Sequence, residues 1–93
     1  RLSSLLTDAP LPTAQPITKS FCGNCNVCVK SCPGKALTGI AWDTQTSRAE
    51  LFHKEACKKT QLQRMKQATG LEKDLCGLCF AVCTYTKRYL NEN

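Results

Sequence analysis

The chain has 93 residues, a formal charge of +6, eight cysteines and one histidine. At this size there is room for one domain whose apolar core is marginal, so disulfides, metals or a partner are expected to staple it. No apolar run reaches the roughly 18 residues of a membrane span, no secretory signal is visible, and the lone His53 gives no ground for a Ser/His/Asp hydrolase. Residue 1 is Arg rather than Met, so a longer parent chain is expected.

Residues 1–20 carry Pro10, Pro12 and Pro16. Proline at this density forbids a continuous helix and favours extended chain. Leu2, Leu5, Leu6, Leu11 and Ile17 are free to pack, so the segment reads as an ordered arm lying against an upstream domain, with a loose linker as the alternative. Residues 22–34 form a cysteine loop ending in a short helical turn. Residues 36–43, "ALTGIAWD", read as one short strand or extended piece. Residues 46–70 carry the best helix signal: Ser47 and Glu50 have capping-box spacing. Leu51, Phe52, Ala56, Leu62, Met65 and Ala68 supply an intermittent apolar face, and Gly70 is the expected stop. A break near Cys57 is allowed for. Residues 79–90 read as a closing helix, with Val82, Tyr85, Tyr89 and Leu90 available for packing.

The cysteines repeat. Residues 25–32, "CNVCVKSC", and residues 76–83, "CGLCFAVC", are both C-x2-C-x3-C. The first copy has one more cysteine upstream, Cys22, where the second has Lys73. Cys57 is the only cysteine outside the two runs. Four, three and one make two sets of four, the ligand number of a tetrahedral zinc or of a cubane iron–sulfur cluster. The first run, "CGNCNVCVKSCP", has the C-x2-C-x2-C-x3-C-P spacing of bacterial ferredoxins. Two-residue spacers let successive thiolates wrap one face of a cubane while backbone N–H groups turn toward the sulfurs. Cys28 and Cys32 stand about one helical turn apart, and Pro33 keeps the chain from continuing as helix. In ferredoxins the last cysteine of each run serves the other cluster. Carried onto this sequence, that arrangement implies one [4Fe-4S] cluster on Cys22, Cys25, Cys28 and Cys83, and a second on Cys32, Cys57, Cys76 and Cys79. Each [4Fe-4S]2+ unit with four thiolates carries a net −2, so the loaded chain sits near about +2. That weakens any reading of the basic composition as nucleic-acid binding.

The order C-x2-C-x2-C-x3-C-P, an isolated Cys57, then C-x2-C-x3-C resembles the double-cluster module of epoxyqueuosine reductases and reductive dehalogenases. Residues 5–12, "LLTDAPLP", resemble the segment that precedes that module. The likeness covers roughly residues 4–90. It departs at Cys83-Thr84, where the family pattern usually has Cys-Pro, which leaves the chain's exit from the cluster open. The resemblance implies a small α+β, ferredoxin-like two-cluster module over residues 21–93, with more helix than strand and organised by its clusters. It implies electron transfer rather than catalysis: the module is the C-terminal part of a larger, anaerobic, cytoplasmic, cobalamin-dependent oxidoreductase. Its partners are then an upstream catalytic domain and a donor such as a ferredoxin or flavodoxin.

Three other readings remain open. Eight cysteines also suit disulfides, although C-x2-C-x2-C places thiols too close for easy pairing. Two structural zincs would satisfy the same count in an interaction or nucleic-acid-binding module, and zinc can replace iron during aerobic expression. An iron–sulfur redox sensor that loses its clusters would carry the same ligands. Lys54, Lys58, Lys59, Arg64 and Lys66 make a basic helix that is either a docking face for an acidic donor or a solvated face balancing the clusters. His53 reads as a solvent-facing helical residue. Trp42, Tyr85, Tyr89, Phe21 and Phe80 read as covers that keep water from the clusters.

Overall fold

The computed structural model describes residues 2–92; Arg1 and Asn93, the outer ends of the expected arm and module, lie outside the described residues. Five helices follow one another: α1 Val27–Ser31, α2 Arg48–Leu51, α3 Lys54–Thr69, α4 Leu78–Ala81 and α5 Thr84–Glu92. The described residues hold no sheet, only two isolated antiparallel bridges, Lys19 to Asp43 and Leu37 to Phe52. The expected strand over residues 36–43 is therefore an extended piece pinned at two points. Its helical majority is as the sequence implied.

Local chemistry explains where each helix starts and stops. α1 ends because Cys32 precedes Pro33 and takes an extended backbone, ψ 113°. At Ser47 the capping box forms: the Glu50 N–H donates to the Ser47 hydroxyl at 3.4 Å, and the Ser47 N–H donates to the Glu50 carboxylate at 2.7 Å. Gly70 closes α3 in the left-handed conformation, φ 78°, its N–H donating to the Lys66 carbonyl.

The long helix expected over residues 46–70 is broken at Phe52–His53, earlier than the allowed break near Cys57. Backbone groups there bond across to a different segment. The His53 N–H donates to the Ala36 carbonyl at 2.7 Å, and the Thr38 N–H donates to the Leu51 carbonyl at 3.0 Å. The Thr38 hydroxyl donates to the Glu50 and Leu51 carbonyls. These bonds hold residues 36–38 against the α2–α3 corner. The closing helix is also in two pieces, with Val82 and Cys83 between α4 and α5.

α1 packs on α4, and α4 adjoins α5, so the two cysteine runs lie side by side. The molecule has almost no side-chain core: Ala36, at 1 % exposure, is the one buried hydrophobic residue among those described. The arm stands off the rest, with Leu2, Leu5 and Leu6 more than 90 % exposed. It accounts for a radius of gyration of 16.3 Å, against about 12 Å for a compact chain of this length.

Candidate metal centre

All eight cysteines are free thiols. Seven of them line two cavities. The larger, about 340 Å3, is lined by Cys32, Cys57, Cys76 and Cys79. They come from four places: the end of α1, the first turn of α3, the loop before α4, and α4 itself. The smaller, about 140 Å3, is lined by Cys22, Cys25 and Cys28. Leu37 lines both, so the two cavities adjoin.

Cys83 is not part of either lining. It sits between α4 and α5, and its carbonyl accepts the Lys87 N–H at 3.0 Å. α5 begins at Thr84, directly after Cys83. Two residues on, the Tyr85 hydroxyl donates to the Phe21 carbonyl at 2.8 Å. That bond ties the start of α5 to the residue before Cys22, which brings the Cys83 segment to the first cysteine loop.

The larger cavity depends on a close approach. A Cβ at Gly34 would run into the Thr60 hydroxyl and come within 3.1 Å of the Ala56 carbonyl. Only glycine lets the turn after Cys32 lie on α3 beside Cys57. Two donors already face these sulfurs: the Ala36 N–H toward Cys32 Sγ at 3.4 Å, and Gln61 Nε2 toward Cys57 Sγ at 3.3 Å. Burial pushes the Cys79 thiol up, and the neighbouring Cys57 and Cys76 thiolates push it further the same way, against the lowering effect of nearby backbone N–H groups. The Thr86 backbone N–H, then its hydroxyl, draws the half-buried Cys83 thiol down.

This donor set suits a large soft group better than a single ion. Among the described residues no three His, Cys, Asp or Glu side chains converge tightly enough to share one metal ion. Zinc thiolates at about 2.3 Å from the metal would lie within roughly 4 Å of one another. A cubane is held from its corners, so its thiolates stand farther apart than those on a single zinc, and four cysteines line the 340 Å3 cavity.

Several residues in the site were not singled out from the sequence for these roles. Gln61 lies four residues after Cys57, so helical spacing alone would have found it. Arg48, which lines the larger cavity, and Gly34 carry no local signal. Of the aromatic covers, Phe80 lines the larger cavity but is itself exposed, as is Phe21, while Trp42 is half-buried. His53 is exposed, and so are the five basic residues of α3. Lys66 pairs with Glu72 at 3.5 Å.

The family described as the 4Fe-4S double cluster binding domain matches residues 21–86. The chain is similar to the tetrachloroethene reductive dehalogenase of Sulfurospirillum multivorans, 30 % identical over 94 % of this chain and 18 % of that protein. It is also similar to the epoxyqueuosine reductase of Synechococcus sp. strain CC9605, 29 % identical over 99 % of this chain and 28 % of that protein. It thus spans less than a third of either relative. No solved structure matches. With seven of its thiols already arrayed about two adjoining cavities, the chain belongs to the 4Fe-4S double cluster binding domain family and takes two [4Fe-4S] clusters as its cofactors.

Proposed function

We propose that the chain is the electron-transfer module of a larger reductase. Cys32, Cys57, Cys76 and Cys79 hold one cluster, and Cys22, Cys25 and Cys28 hold the other with Cys83 as fourth ligand. The observation that carries this reading is the larger cavity, where thiols from four separate segments face one space. The crossed use of Cys32 and Cys83 is the ferredoxin-like feature of the fold. Bound clusters supply one-electron reduction and oxidation at low potential.

The chain's own residues do the rest. Backbone and side-chain N–H groups at Cys32 and Cys57 offset negative charge on the sulfurs. Leu37, shared by both cavities, keeps the two sites adjacent, which favours rapid exchange of an electron. The residue 2–20 arm, with its exposed leucines, meets an upstream catalytic domain, for which the relatives suggest a cobalamin-dependent reductase. The exposed lysines of α3 face an acidic donor of the ferredoxin or flavodoxin kind. The free thiols fit a reducing compartment such as the cytoplasm, and among the described residues no helix is long and apolar enough to cross a membrane.

The test is an electron paramagnetic resonance spectrum of the chain, loaded with iron and sulfide without oxygen and fully reduced. Adjacent sites predict two interacting signals, of which Cys76→Ser alters one. Two signals without interaction, or a colourless zinc protein that takes up no iron, would overturn the reading.

A further inference from the structure

Both cavities present thiols, but the remainder of their walls is electrostatically unequal. Arg48 is the one permanently charged side chain lining the larger cavity, and Gln61 the one amide. Gln61 reaches Cys57 Sγ at 3.3 Å from one turn further along α3, and both residues are half-buried. The Arg48 guanidinium lies over the Phe52 ring, 5.0 Å from its centroid, and Phe52 lines the same cavity. That stacking restrains a side chain which would otherwise swing into solvent. Besides its cysteines, the smaller cavity is lined by Ser20, two glycines and apolar side chains, with no cation and no amide.

We propose that Arg48 and Gln61 are positioning residues that hold the larger site at a higher reduction potential than the smaller one, so that an electron entering the pair comes to rest on the larger site. The inference rests on the cysteine assignment proposed above. Its physics is simple. Adding one electron raises the negative charge on the sulfurs of a site. An N–H donor and a nearby cation stabilise that added charge, more so where the walls are apolar and exclude water. No bond in the chain forms or breaks, and the electron comes from an external reductant.

The experiment is a dithionite titration of the loaded chain at controlled potential, with the resonance signals recording two one-electron steps. The signal altered in Cys76→Ser identifies the larger site, which is expected to be reduced first. Gln61→Leu is expected to lower the equilibrium constant of that step by about fivefold, the worth of a single hydrogen bond, and Arg48→Gln, which removes an exposed charge, by about two- to fivefold, while the other step stays in place. Arg48→Lys, which keeps the charge, should stay closer to wild type than Arg48→Gln. The proposal is overturned if the smaller site is reduced first, if both steps move together, or if neither substitution moves the upper step. It is also overturned if Arg48→Lys falls as far as Arg48→Gln, or if Gln61→Leu loses iron without shifting the step that remains. A wild-type chain that takes up no clusters overturns this proposal and the cysteine assignment together. Two clusters with unshifted steps overturn this proposal alone.

Discussion

Cys83 and Cys79 belong to the same run of three cysteines, yet their surroundings push them in opposite directions. Cys83 is drawn down by the Thr86 N–H and hydroxyl, and Cys79 is pushed up mainly by burial. A depressed thiol forms its reactive thiolate at lower pH, and a raised one at higher pH. In the metal-free chain, alkylation followed by mass spectrometry across pH should therefore label Cys83 before Cys79. Thr86→Val should delay Cys83 only in part, because the backbone donor remains. Gly34 is the other residue with a sharp expectation. Gly34→Ala forces the turn after Cys32 away from Thr60 and Ala56, an overpacking cost of about 1–3 kcal/mol. A lowered melting temperature together with selective iron loss from the larger site is expected, and an unchanged melting curve would contradict the close approach. At this scale spacing picked out the seven cysteines that line the two cavities. It did not pick out Gly34 and Arg48: Gly34 matters through Ala56 and Thr60, more than twenty residues away, and Arg48 through a cavity built largely from other segments.

The helices show which signals are local. The Ser47–Glu50 box and the Gly70 stop were readable because cap and partner lie within one turn. Ser47→Ala should cost about 1 kcal/mol, measured as a lower thermal midpoint of the loaded chain. The Glu50 carboxylate is held below its usual range, first by the Ser47 N–H and then by its hydroxyl. Its contribution is thus present at neutral pH and is lost as pH falls through that depressed value. The break at Phe52–His53 was misplaced because residues 36–38, which take those backbone groups, are remote in sequence. The tie between α5 and the first cysteine loop is of the same kind. Tyr85→Phe removes the hydrogen bond to the Phe21 carbonyl, worth about 1 kcal/mol. Chelators should then strip iron from the smaller site faster than from the larger. Equal rates at both sites would show that the bond does not hold Cys83 in place.

For the whole molecule, the two cavities occupy the position a hydrophobic core takes elsewhere. A chain with one buried apolar residue and no sheet among its described residues, and with an extended arm, has little apolar burial to offset the entropy of folding. Metal–thiolate bonds are the remaining large stabilising contribution. Composition already implied this, since a small chain dense in cysteine needs staples. Of the short strand or extended piece expected over residues 36–43, the extended piece is what forms, because these residues find no partner strand and pair only at Leu37 and Asp43. The most direct measurement is the iron and acid-labile sulfide content of the chain after loading without oxygen. The account predicts roughly eight of each per chain, falling by about half in Cys57→Ser. A folded chain that binds neither element, or that binds zinc alone when iron and sulfide are abundant, would contradict it.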